Sequence, residues 1–252
     1  MNKLVNFSKK IDLLMVLFVV SIMVLLSIAY FSIPTNAIIS IPGTVTSMTE
    51  DIEMDQAANV HRVSVRNFIV YDRLDFLEYM WNNKELVSTF GYSSFDTNKD
   101  ATVAALSREI EALELKIEKY DVIFNFIMNR YSSEEEVDIV LNDLKFPDDA
   151  IGSSDSLAIT LSLIGNYEQK PWMASEQKVV ITGSLGEGGA VVPVGGVYLK
   201  ALASKKDQAD VFIIPQANIE EANRYMKRNS KPLIVAVETI NEAIDWLDEN
   251  IK

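Results

Sequence analysis

Cysteine is absent from this chain, and histidine occurs once, at His61. The first absence excludes disulfide staples and thiolate chemistry. The second excludes a metal centre built on several histidines and leaves room for one histidine-based catalytic pair at most. Positive charge is also scarce: 23 Lys and Arg stand against 36 Asp and Glu, a net charge of −13. Such a surface lacks the clustered cations that phosphate backbones require, so no nucleic-acid partner is expected. The surplus of acid serves solubility. None of the 10 glycines is followed by Lys, so a phosphate-binding loop ending in Gly-Lys-Ser/Thr is missing.

What the chain does have is a long uncharged run. Leu13 to Ile33 holds 21 residues without a charge, the length of a membrane-spanning helix. Lys3, Lys9 and Lys10 precede it, with Asp12 the one acid among them. Positive flanks stay in the cytoplasm. The expectation is a cytoplasmic N-terminus over 1–12, a transmembrane helix over 13–33 and the rest outside, making a single-pass protein of the cell membrane. A cleaved signal peptide, with Thr35-Asn36-Ala37 as the cleavage site, is the alternative, although its apolar core is usually shorter. A buried core helix is a third.

Beyond Pro34 the pattern alternates. Ile38–Ile41 and His61–Val70 read as strands, the second with Val63 and Val65 facing inward. Residues 72–82 read as a short amphipathic helix and 88–100 as a loop. The stretch 101–131 spaces Val103, Leu106, Ile110, Leu113, Ile117, Tyr120, Phe124 and Ile127 by threes and fours, a coiled-coil-type seam. Lys119 falls on the charged surface between. This helix either packs on its own domain or mediates self-association. Ser133 with Glu136 forms a capping-box signature for a helix to about Asn142. Further on, strands at Val179–Leu185, Ala190–Val194, Val211–Ile214 and Leu233–Val237 alternate with helices at Val197–Ser204, Ile219–Lys227 and Ile240–Asn250. The fold class is α+β, with a mixed α/β C-terminal part.

Two segments can carry chemistry. Residues 151–164 (IGSSDSLAITLSLI) run from small residues into an apolar helix near Ser156. A hydroxyl there sits beside backbone N–H groups and the positive end of a helix dipole. Residues 181–204 bring Gly195-Gly196 to the start of a helix bearing Lys200 among Val197, Tyr198, Leu199, Ala201 and Leu202. Desolvation there can convert the lysine into a general base. Taken singly, small residues before a helix are ordinary caps, and a lysine on a helix is an ordinary surface residue.

Together the segments resemble the Lon peptidase family. Its Gly-Pro-Ser-Ala-Gly-Ile-Thr motif aligns on Ser154-Asp155-Ser156-Leu157-Ala158-Ile159-Thr160, and its Thr-Gly-x-Ile/Leu on Thr182-Gly183-Ser184-Leu185. Its Pro-Ile-Gly-Gly-Leu-x-x-Lys aligns on Pro193 through Lys200, its strand ending in Ile-Pro on Val211–Pro215, and its Val-x-Thr-Ile-x-Glu-Ala on Val237–Ala243. The resemblance covers 151–247. Residues 37–82 also look like the start of membrane-anchored Lon-like proteins of Gram-positive bacteria. Only the helix 101–131 and a short linker occupy the interval between that stretch and the serine motif, so no PDZ domain is expected.

The resemblance implies an ATP-independent serine endopeptidase with Ser156 as nucleophile, Lys200 as base and Thr182 orienting the lysine. Asp155, Leu157, Gly195 and Gly196 would shape the substrate and oxyanion region. It implies no metal or cofactor, a peptide or protein substrate, and a homo-oligomer, commonly a ring in this family. The implied architecture is an N-terminal transmembrane helix, then a Lon-protease-like α/β domain with a long helical insertion. Its parts are strands and a helix over 34–100, the long helix over 101–131 and the proteolytic domain over 132–252. The chain departs from the family at Asp155, where Pro is usual, and at Leu157-Ala158, where Ala-Gly is usual. Ala158 can crowd the substrate backbone, and the Asp155 carboxylate favours a charged Lys200. These departures motivate a second reading, an inactive Lon-like scaffold or binding module. A Ser156–His61 pair is a third.

Overall fold

The computed structural model describes residues 18–28, 30–31, 37–50, 52, 59–70, 73–74, 77–78, 91–94, 119–144, 153–223, 226 and 231–252. The chain divides into two compact units, one of residues 1–39 and 68–97, the other of 40–67 and 98–252. The strands are β1 (Ala37–Ser47), β2 (Val60–Val70), β3 (Gly91–Ser94), β4 (Val179–Ile181), β5 (Ser184–Leu185), β6 (Val191–Val192), β7 (Val211–Pro215) and β8 (Leu233–Val237). The helices are α1 (Glu134–Asn142), α2 (Ser156–Tyr167), α3 (Val197–Lys206), α4 (Ile219–Asn223) and α5 (Ile240–Asn250). Residues 119–130 are also helical.

In the first unit, residues 18–28 form a helix whose apolar side chains are exposed, Phe18 and Leu25 among them. Among the described residues no helix is long and apolar enough to cross a membrane. Several positions of the expected 13–33 span (13–17, 29 and 32–33) lie outside the described residues. Within 88–100, read as a loop, residues 91–94 form β3. Of the expected helix 72–82, residues 73–74 and 77–78 are helical.

The second unit is a three-layer α/β sandwich. Its sheet runs β1-β2-β4-β7-β8, with β2, β4, β7 and β8 parallel. Parallel strands covered on both faces read as unbroken apolar runs, and β4 (VVI) and β7 (VFIIP) are buried at every position. Successive side chains point to opposite faces. Val179, Ile181, Val211 and Ile213 enter the larger core with α2, α5 and Ile123 and Ile127 of the helix 119–130. Val180, Phe212 and Ile214 enter the smaller one with Val197 and Ala201 of α3 and Ala222 of α4. The expected strand Val179–Leu185 is broken into β4 and β5, because the chain turns at Gly183 to leave the sheet and β5 pairs with β6 instead.

The helix 119–130 corrects the expected seam. Ile123 and Ile127 are fully buried, whereas Phe124 is exposed. The buried stripe extends four residues back from Ile123 to Lys119, placed on the charged surface by the sequence reading but 1% exposed. The remaining seam positions, 103–117, lie outside the described residues.

Candidate active site

The site lies beyond the carboxyl end of β4, where open parallel sheets usually bind ligands. α2 brings Ser156 from one face of the sheet, and α3 brings Lys200 from the other. Thr182, the residue after β4, stands between them.

α2 is apolar on all sides, buried from Ser156 to Gly165, so it is a core helix rather than an amphipathic one. Gly165 is required where it packs on Trp172, since a Cβ there would sit 2.4 Å from the indole. This packing seats the C-terminal part of the helix that Ser156 begins. The Ser156 hydroxyl donates to the Ser153 carbonyl at 2.8 Å and accepts the Leu185 N–H at 2.7 Å. The backbone N–H of Ser156 donates to Ser153 O and that of Leu157 to Gly183 O. Both amides are therefore engaged within the loop, and an oxyanion role for either needs that bond released. The sequence did not point to the Leu185 amide.

Lys200 is 3% exposed. Among the described residues its amine has one hydrogen-bond partner, the Thr182 hydroxyl at 3.0 Å. Thr182 in turn donates to the Ser154 carbonyl at 3.0 Å. That proton is thus committed, and a lone pair of Thr182 faces the amine. One partner suits a neutral amine, not an ammonium with three protons to place. Burial pushes the Lys200 pKa down from the usual lysine range to about 8, against the opposing pull of Asp155 and Glu221.

Asp155 is the N-cap of α2, yet its side chain caps nothing. Its carboxylate accepts instead from Lys119 Nζ at 3.2 and 3.4 Å, with Arg62 Nη1 at 3.8 Å. The sequence reading assigned neither cation to the site. The available signal was the four-residue step from Lys119 to Ile123 to Ile127. At its other end the same helix is tied to the residue after α2, where Arg130 Nη2 meets Glu168 Oε1 at 2.8 Å. The helix therefore runs alongside α2, fastened at both ends.

Leu157 is fully buried, with its side chain against Gly183. Gly196 is the N-cap of α3 at φ 68, a left-handed conformation that suits glycine. Gly195 has open space where a Cβ would stand. His61 lies elsewhere. Its Nδ1 is 3.0 Å from Asn59 O, and its pKa is lowered by burial, with Lys178 and Asp207 as its charged neighbours. Its register partner in β4 is Val180, and the neighbours just named do not include Ser156. A cavity of about 650 Å³, lined by Val122, Phe126, Arg130, Gly186 and Glu187 among others, opens one residue beyond Leu185.

With this geometry the comparisons are informative. A profile of the Lon protease (S16) C-terminal proteolytic domain matches residues 118–247, just over half of the chain. The chain belongs to that family. The Lon match begins before the serine motif and includes residues 119–130. Archaeal Lon protease of Pyrococcus abyssi is 32% identical over 121 residues, 47% of this chain and 12% of that protein. Archaeal Lon protease of Archaeoglobus fulgidus is 34% identical over 101 residues, 40% of this chain and 16% of that protein. Lon protease of Haemophilus influenzae is 28% identical over 121 residues, 48% of this chain and 14% of that protein. The match spans less than a fifth of each relative. Membership in the Lon family supports a serine-type peptidase.

Proposed function

We propose that the chain is a membrane-anchored serine endopeptidase that hydrolyses peptide bonds with a Ser156–Lys200 dyad and without ATP. One observation carries the reading: a buried lysine amine is tied through Thr182 to the carbonyl of Ser154, two residues before the serine. In this reading the Ser156 hydroxyl turns from Ser153 O to the neutral Lys200 amine, which takes its proton as the oxygen attacks the scissile carbonyl. The Lys200 ammonium then protonates the leaving amine, and water hydrolyses the acyl-enzyme by the same route. Thr182 aims the amine. Once freed, the N–H groups near Ser156 hold the oxyanion. The cavity beside Gly186 receives the peptide.

The test is labelling of the full chain with a fluorophosphonate probe, mapped by mass spectrometry. Labelling at Ser156, abolished by Ser156→Ala and by Lys200→Arg, is the expected result. Lys200→Arg keeps the charge but cannot give up its proton. Undiminished labelling of Lys200→Arg would refute the dyad.

The second reading, an inactive Lon-like scaffold, draws on the Ser156 hydroxyl being engaged on both sides and on Asp155 standing where the family has Pro. Absence of labelling and of peptide cleavage across the pH range would favour it. The anchor is argued from the uncharged run 13–33 and its leading lysines, and homo-oligomerisation, including a ring, from the family.

A further inference from the structure

We propose that Lys119 is a positioning residue for the dyad, its buried ammonium neutralising Asp155 so that this carboxylate does not hold a proton on Lys200. The inference rests on the dyad reading above and adds the electrostatic control of its base. Asp155 is 8% exposed and directly precedes the nucleophile. A carboxylate in such a place needs a partner. Lys119 provides one with a side chain that is 0% exposed and reaches both carboxylate oxygens. Arg62 stands on the second oxygen at 3.8 Å. Three elements thus converge on one acid: the helix 119–130, β2 and the start of α2.

The charges that act on Lys200 can be named. Asp155 and Glu221 both favour its ammonium form. Thr182, from the end of β4, is neutral. Glu221 on α4 is occupied by the Tyr198 N–H and the Asn218 side-chain amide. Asp155 is answered by Lys119 and Arg62. A cation against the carboxylate weakens the field through which Asp155 favours the Lys200 ammonium. A plain structural tie between the helix and α2 would use the same contacts but leave the Lys200 titration where it is.

That difference is measurable in the full chain in detergent micelles. Lysines carrying ¹³C at Cε report each titration by NMR, with the Lys200 signal assigned through Lys200→Arg. The fluorophosphonate labelling rate of Ser156 is followed over the same pH range. Lys119→Met should raise the Lys200 midpoint by about one pH unit and shift the labelling profile equally. Adding Asp155→Asn should return both to the parent position or below. An unmoved midpoint in Lys119→Met, with labelling reduced equally at every pH, overturns the proposal. If Lys119→Met does not fold, Lys119→Gln takes its place, with the same two outcomes: a raised Lys200 midpoint supports the proposal and an unmoved one overturns it. Shifts in the NMR midpoint with no labelling of the parent would leave the Lys119–Lys200 coupling standing and remove the peptidase reading.

Discussion

Thr182 connects the two segments that the sequence set apart, and its hydroxyl can be tested directly. Thr182→Val keeps the shape and removes the acceptor. Lys200 would then lose its one partner among the described residues, an unpaired polar group worth about 1–3 kcal/mol. The expected loss in kcat/KM is roughly one to two powers of ten, with folding retained, read by peptide hydrolysis and circular dichroism. The pH dependence has a definite sign. In the proposed dyad Lys200 acts as a base only when neutral, so activity should rise as pH passes through about 8 and level off above it. A profile that falls with rising pH would exclude the lysine as base. Ser156 and Lys200 were legible because each belongs to a contiguous motif. The environment of Asp155 was not, because its cations come from positions 62 and 119, and no local spacing links these to 155.

Among the elements, the helix 119–130 has Ile127 on its inner face as the seam predicts and Phe124 outside it. Threes-and-fours spacing fits more than one stripe, and Phe124 and Ile123 compete for the inner position. Burial decided for Ile123 because α2 is apolar all round and offers its partner a continuous surface, which Ile127 and the Lys119 stem also cover. Ile123→Ala should therefore cost about 2–5 kcal/mol, whereas Phe124→Ala, at an exposed site, should stay within about 0.5 kcal/mol. Chemical denaturation of the two variants separates the faces. The capping box was read correctly, and the reason is local: the Ser133 hydroxyl accepts from Glu136 N, and the Glu136 carboxylate accepts from Ser133 N, all within four residues. Ser133→Ala should lower stability by about 1 kcal/mol.

Across the whole molecule, β7 and β8 were legible because each is a compact apolar run, whereas the break between β4 and β5 was not. Nor was the strand order. Nothing in the local pattern says that β2 lies between β1 and β4. The proposed orientation can be checked on intact cells, where added protease should digest the domain and spare the N-terminus. Protection of the domain would reverse the topology. For assembly, Leu113→Asp at the expected seam should yield a smaller species of unchanged stability if that stretch joins subunits. Sedimentation together with denaturation reads both quantities.

The place of β2 also sets an order of events during synthesis. Val60 pairs with Val179 in the finished sheet, so β2 leaves the ribosome long before its neighbour β4 exists. Contacts of such sequence separation form late and slowly. Until then β2 has only β1 beside it, and Val60 and Val63 lack the parallel part of the sheet they are buried in. The converse holds for any excised piece. A fragment of residues 118–252 would keep the serine, the lysine and the threonine but leave the β4 edge bare. Such edges template aggregation. Expression of 118–252 beside 40–252 should give aggregate in the first case and dispersed protein in the second, so the catalytic motifs alone do not delimit a unit that survives in solution.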